Sequence, residues 1–379
     1  MFEQSADQEL FQETTRKFLE SVLPTTKVRE LAGTKAGFER PTWKRGAELG
    51  WTSLVVPEAA GGGSISDSGV LDLMILSYEF GLHAAPGPLL PTNVVAAALG
   101  RWGTDAQQSG PLAELLAGEA VAGWALAEPA PHDRLGHVEL SATTDGEAIV
   151  LDGIKVPVEA DADAEYYLVT VRHEGGLSQL LLPHDTTGLK VTPLQGLDMT
   201  RRFVKLQFDG VRVSADALVG EAGAAGAAVA WLTDLAVVVQ LAEMVGAMQW
   251  AFDKTLDWAF NRYSFGRPLA SYQEIKHRFA DMKMWLESSY AITASAARAV
   301  EADTPERSEL VSAGKFYVGR YGPELLQDCV QLHGGIGVTF DHDLHMFLRR
   351  VTTDVPLFGG PSDHAIRIAT LLEAQKVAQ

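Results

Sequence analysis

RYSFGRPL, Arg262 to Leu269, sets two guanidiniums and an aromatic ring around a Gly-x-Pro turn. It closes a long apolar stretch that reads as one helix from Gly226 to Asn261, about 50 Å long at 1.5 Å per residue. Arginine pairs bidentately with phosphate or pyrophosphate, so the turn suits an anionic ligand. It suits equally a helix C-terminus, where arginines serve the dipole. QLHGGIGVTF, Gln331 to Phe340, raises the same choice. Its adjacent glycines let backbone N–H groups approach an anion or a flat ring, and Gln331 both donates and accepts. Taken alone, it also reads as a Schellman-type helix stop.

Working outward, the chain falls into three textures. Residues 1–118 read as α-helical, with Leu10, Phe11, Thr14, Phe18 and Val22 expected on one face of the first helix. Gly/Pro-rich connections such as EAAGGGSIS and HAAPGPLLP separate further helices. Residues 119–222 are β-rich, with hairpins expected at Asp145–Gly146, Asp152–Gly153 and Glu174–Gly176. Val204, Leu206 and Phe208 alternate with Lys205, Gln207 and Asp209, as a half-buried strand requires. Residues 223–379 are helical again. There Ser271 and Glu274 are placed to form a capping box, and Gly334–Gly335 to end the helix that follows. The expected fold is α+β: an N-terminal helical domain, a middle β-barrel or sandwich, and a C-terminal four-helix bundle.

Composition narrows the function classes. A chain of 379 residues can bury two or three packed layers or domains. Its net charge of -18 argues against a nucleic-acid partner, though not against an anionic cofactor at a local basic site. With Cys329 as the sole cysteine, an internal disulfide and a cysteine zinc site are excluded. His342 and His345 are spaced i, i+3 on an expected helix, but no third ligand lies nearby and no metal is expected. Trp231, Trp250, Trp258 and Trp285 read as core or interface aromatics. The first residues lack an apolar signal core, and the richest apolar run is broken by Asp234 and Glu243. No membrane partner is expected, and the chain reads as a cytoplasmic enzyme or enzyme subunit.

The two opening motifs, in this order and on these helices, resemble those of the acyl-CoA dehydrogenase family. RYSFGRPLASYQEIKHRFADM is similar to the family's Arg-x-x-Phe-Gly-x-Pro junction, and QLHGGIGVTFDHDLHMFLRR to its Gln-x-x-Gly-Gly-x-Gly segment. WALAEP resembles the start of the family's β domain and FDGVRVS its end, so the likeness spans essentially the whole chain. The resemblance implies FAD and α,β-desaturation of acyl-CoA thioesters. A carboxylate removes the α-proton while the flavin takes hydride from the β-carbon. It also implies a shared cofactor: one subunit's β domain cradles the flavin ring, and a neighbour's two motifs hold the adenine-diphosphate end. The residues carried over for that end are Arg262, Ser264, Phe265, Gln273, Gln331, Gly334 and Gly335.

Departures from the family pattern concentrate elsewhere. The family's Thr-Glu-Pro-Gly-x-Gly-Ser-Asp reads Ala127-Glu128-Pro129-Ala130-Pro131-His132-Asp133 here. Its Gly-x-Lys-x-Trp-Ile-Thr strand reads Gly153-Ile154-Lys155-Val156-Pro157-Val158-Glu159. Pro157 removes a stacking indole and a backbone N–H, and Glu159 places a carboxylate where reduced flavin builds negative charge. The two positions where relatives carry the catalytic base fall on Gly359, in PLFGGPSDH, and on Ala236. Glu243, two turns further along the same helix, and Asp234 are weak candidates. Asp234 is expected near a solvated helix start.

Within the family, the chain resembles the non-catalytic subunit of actinobacterial α2β2 steroid-CoA dehydrogenases. It implies a homologous catalytic partner subunit that binds most of the acyl-CoA, and electron-transfer flavoprotein as acceptor. Two alternatives stand beside it: a self-sufficient homo-oligomeric enzyme with Glu243 as base, and a purely structural subunit.

Overall fold

The computed structural model describes residues 4–129, 135 and 137–378. An N-terminal helical region, a central mixed β domain and a C-terminal helical bundle follow one another along the chain. The helical region comprises α1 (Ala6–Val22), α2 (Thr25–Ala32), α3 (Arg40–Glu48), α4 (Gly69–Leu82), α5 (Leu89–Trp102) and two short segments, α6 (Asp105–Gln107) and α7 (Ala113–Leu116). Ser5 caps α1 in a reciprocal capping box with Gln8. The buried stripe of α1 is Gln8, Phe11, Thr15 and Leu19, so the expected face is corrected by about one position. Leu10 is 63% exposed. Apolarity alone misplaced the stripe because the buried positions include Gln8 and Thr15.

The strands are β1 (Ala122–Ala125), β2 (Ala142–Asp145), β3 (Ala148–Glu159), β4 (Tyr166–His173), β5 (Gly176–Pro183), β6 (Leu189–Leu194), β7 (Phe203–Ser214) and β8 (Leu218–Val219). They build two four-stranded sheets, ordered β1-β4-β5-β8 and β2-β3-β7-β6. Only the β1–β4 pair is parallel. Asp145–Gly146 and Glu174–Gly176 turn hairpins. Asp152–Gly153 does not: it lies inside β3, where the ladder to β7 shifts register between Leu151 and Gly153. The glycine makes a bulge rather than a turn. On β7, Val204, Leu206 and Phe208 are buried, and the polar residues between them are not.

The bundle consists of α8 (Gly226–Asn261), a two-stranded hairpin of β9 (Tyr263–Ser264) and β10 (Arg267–Pro268), α9 (Gln273–Glu301), α10 (Arg307–His333), α11 (Leu344–Asp354) and α12 (Pro361–Ala378). The expected capping box at α9 is absent. Tyr272 occupies the N-cap, and the Ser271 hydroxyl donates to the Pro268 carbonyl instead. A 3₁₀ turn at Leu269–Ser271 draws Ser271 out of cap geometry. By length and composition α8 could cross a membrane, contrary to the sequence expectation, yet 94% of its apolar window is buried. Asp234 is 0% exposed, not at a solvated helix start. His342 precedes α11 and only His345 lies on it, so the two histidines do not share a helix.

Contacts divide the described chain into two compact units. One joins residues 1–28, 74–85 and 237–379; the other joins residues 29–73 and 86–236. Within the second unit, α5 packs on β1, and every residue from Leu89 to Gly100 is buried. One buried charge pair lies in this unit's β domain. Lys155 Nζ meets Glu128 at 2.6 Å and also donates to the Leu126 carbonyl. Glu128 accepts from the amides of Glu139 and Leu140 as well. Burial pushes the Lys155 amine down to about 8, although Glu128 opposes the shift. Burial raises Glu128, but its bonds to Lys155 and the two amides outweigh this and hold it below the usual carboxylate value.

Lys155→Met strands the Glu128 charge and should cost about 3–5 kcal/mol in urea unfolding, whereas Lys155→Met/Glu128→Gln should recover most of that loss. Both shifts are downward, so stability should rise with pH across both windows. The Glu128 share is intact above about 4.5 and fades as pH falls through its lowered value. The cost of burying charged Lys155 is relieved between about 8 and 10.5.

Candidate functional site

The two opening motifs meet at one end of the bundle. Trp258 lies one turn before Arg262 on α8, and His333 is the last residue of α10. Their rings stack with centroids 5.2 Å apart at 20°. The Arg262 guanidinium sits 5.8 Å from the indole centroid, within cation–π range. His333 Nδ1 bonds the Cys329 carbonyl at 2.9 Å, which fixes its tautomer. Burial lowers the imidazole pKa, and neighbouring His342, 4.5 Å away ring to ring, lowers it further. Sequence reading gave neither Trp258 nor His333 a role in a site. The available signal was Trp258 at i−4 from Arg262, on the same helical face.

Around this stack the carried-over residues are presented outward. Arg262 is exposed, and its guanidinium has no hydrogen bond or ion pair among the described residues. Phe265 tips the β9–β10 hairpin, 97% exposed, with φ +51°. An aromatic residue in left-handed backbone is strained, and full exposure gives it no compensating contact within the chain. Tyr272 OH holds the hairpin by donating to the Ser264 carbonyl at 2.8 Å. Gln273 opens α9 and is exposed, as is Gln331, whose carbonyl accepts the Gly334 N–H.

Gly334 has φ +65° and ψ −142°, a conformation open essentially to glycine alone. A Cβ added at Gly334 or Gly335 would meet nothing within 4 Å. Phe260, Tyr263, Ile336, Val338 and Phe340 are further large apolar residues of these segments that stand exposed. His345 is buried against Phe340. No group of three or more metal-ligating side chains occurs among the described residues.

The positions expected for a base have other roles. Ala236 is fully buried on α8. Glu243 is also buried, 4.0 Å from the Arg350 guanidinium, which donates in addition to the Ala85 carbonyl. Gly359 is buried with φ +87°, so its backbone is set for a residue without a side chain. The loop is anchored by His364 Nε2 to the Phe358 carbonyl at 2.9 Å and by the Gly360 N–H to Asp363. Below it, buried Lys315 bonds Gln240 and the Asp354 carbonyl.

In the other unit, Glu159 is not the bare carboxylate expected from sequence. Arg201 Nη1 lies 3.1 Å from it and Arg201 Nε 3.9 Å from Asp198. The cavity beside this cluster, walled also by Phe38, Gly87 and Thr200, is about 20 Å³, room for one water. Residues Ala130, Pro131, His132 and Asp133, part of the departing motif, lie outside the described residues.

The order of helical region, mixed β domain and helical bundle is the acyl-CoA dehydrogenase fold. Butyryl-CoA dehydrogenase from Megasphaera elsdenii has it with a TM-score of 0.88 and 22% identity, over 98% of this chain and 99% of that one. The family model for the acyl-CoA dehydrogenase N-terminal domain matches residues 5–119, and that for the C-terminal domain matches residues 230–370. Together they cover more than half of the sequence, and the chain belongs to the acyl-CoA dehydrogenase superfamily. Acyl-CoA dehydrogenase FadE27 of Mycobacterium tuberculosis is 27% identical, over 90% of each chain. A solved Tcur3481–Tcur3483 steroid ACAD variant is 26% identical with a TM-score of 0.88, over 98% of this chain and 99% of that one. The ChsE4–ChsE5 complex from M. tuberculosis is 24% identical with the same TM-score and coverage.

Glu243→Gln should lower the unfolding free energy by leaving Arg350 without its counter-charge, while turnover per flavin in the assembled enzyme stays near wild type. A collapse of turnover at full flavin loading would instead make Glu243 the base. Gly359→Glu should cost about 1–2 kcal/mol, the penalty of a side chain in left-handed backbone, and should confer no activity on the chain alone.

Proposed function

We propose that this chain is the cofactor-completing subunit of a heteromeric, FAD-dependent acyl-CoA dehydrogenase. Its partner is a homologous catalytic subunit in an α2β2 assembly. The observation that carries the reading is the outward-facing Arg262, Phe265 and Gly334–Gly335 surface, whose guanidinium has no hydrogen bond or ion pair among the described residues and whose strained aromatic is 97% exposed. Arg262 pairs with the diphosphate of FAD seated on the partner, and the Gly334–Gly335 backbone gives it close approach. Ser264, Gln273 and Gln331 lie on the same three segments and orient the nucleotide end. When bound, FAD supplies the hydride acceptor for α,β-desaturation of the acyl thioester.

The rest of the chain supports the division of labour. The resemblance places Glu159 beside a flavin ring, but here it is locked to Arg201 next to a water-sized cavity. A ring would have to break a buried ion pair to enter. Neither base position offers a carboxylate, and Glu243 is held by Arg350. The loop at Gly359 can shape a site but cannot abstract a proton. Proton abstraction therefore belongs to the partner, together with most of the acyl-CoA contacts. Similarity to a steroid ACAD supports steroid CoA esters, as the resemblance implies, as substrates. Electron-transfer flavoprotein is the proposed acceptor, and the cytoplasm the proposed location.

Expression of the chain alone should give colourless protein. Co-expression with the homologous subunit encoded beside it should give a yellow complex. Arg262→Ala should lower the FAD affinity of that complex by about tenfold or more, the worth of a charge-assisted hydrogen bond. A yellow, active homo-oligomer from this chain alone would overturn the proposal, and unchanged flavin content in the Arg262→Ala complex would remove the diphosphate contact.

A further inference from the structure

Arg262 follows α8 and the Gly334–Gly335 turn follows α10, and the chain between them contains the whole of α9 and α10. A cradle built from two such distant pieces needs something to fix their separation. Among the described residues, Trp258 does so directly. It precedes Arg262 by one helical turn, so its ring and the guanidinium share a face. Its ring also stacks on His333, the residue before Gly334. His333 cannot drift: it is 5% exposed, and its Nδ1 is tied to the Cys329 carbonyl. The indole N–H is buried without a hydrogen-bond partner among the described residues, so the ring is present for its face and not for its donor. The Arg262 guanidinium, 5.8 Å from the centroid of the same indole, is restrained by the ring that stacks on the residue before the glycine turn.

We propose that Trp258 and His333 are positioning residues: their stacked rings set the spacing between the Arg262 guanidinium and the Gly334–Gly335 backbone, and so the geometry of a diphosphate-binding cradle. The inference rests on the reading of this face as the nucleotide end of an FAD site. Neither ring needs to touch the ligand. His342 packs against His333 from the far side and completes the column of rings.

The full-length chain is titrated with ADP by isothermal calorimetry, with melting temperature recorded for each variant. Trp258→Leu and His333→Ala should each weaken ADP binding about fivefold, the scale of a lost cation–π brace. Trp258→Phe keeps an aromatic face while removing the unsatisfied donor and the five-membered ring, so it should retain more of the wild-type affinity than Trp258→Leu. The deciding readout is a double-mutant cycle: in an Arg262→Ala background, Trp258→Leu should cause no further loss, because it acts through that guanidinium. Absence of ADP binding by wild type, or wild-type affinity in Arg262→Ala, would overturn the reading of the face and this inference with it. If Arg262→Ala loses affinity but Trp258→Leu does not, or if the two losses simply add, only the positioning role is overturned.

Discussion

Burial of the middle of α8 is the constraint from which most of the bundle follows. Every residue from Trp231 to Met248 is buried, so each polar side chain in that stretch needs an internal partner. Gln240 receives the buried ammonium of Lys315, and Lys315 in turn holds the end of α11 through the Asp354 carbonyl. Glu243 faces Arg350, which fixes α11 from another side and reaches the Ala85 carbonyl at the end of α4. Close packing also dictates glycines opposite the helix: a Cβ at Gly81 would strike the Glu243 carbonyl at 1.9 Å. Further along, burial becomes partial, and the same helix hands Trp258 and Arg262 to the surface.

Seen from that helix, the carboxylate that looked most like a base is part of the scaffold. A buried ion pair removed from one side is strongly destabilising, which ties Glu243 to stability rather than to proton transfer. The same logic applies to the Glu159–Arg201–Asp198 cluster and to Lys155–Glu128. In each case charge that might have served chemistry is neutralised internally. By contrast, among the described residues the Arg262 and Arg267 side chains find only aromatic faces: Arg262 lies over Trp258, and Arg267 lies 3.8 Å from the Tyr272 ring centroid. Charged groups held by rings and left without counter-ions are preorganised for an external anion.

Much of the candidate site was legible because its chemistry is local. Arg262, Phe265 and Gly266 lie within five residues of one another, and Gln331 and the two glycines are equally compact. What sequence could not supply was partnership. Glu159 read as a carboxylate beside the expected flavin ring, because its neutralising residue, Arg201, lies on the loop before β7, far along the chain. Asp234 read as solvated, since nothing in its neighbours announces that α8 is covered on every side. Asp152–Gly153 has the composition of a hairpin turn, but β3 has a partner strand on both edges and absorbs the glycine as a bulge. Ser271 and Glu274 have the spacing of a capping box, and the 3₁₀ turn at Leu269 overrides it.

The sequence by itself determined the order of helical, β and helical segments, the extent of α8, and the two motifs proposed to hold a nucleotide, because periodicity and glycine placement act within a few residues. Tertiary structure alone decided which charges are spent on one another and which remain available. It also decided that one indole joins two motifs about seventy residues apart, since ring stacking and ion pairing depend on distances in space that no local pattern encodes.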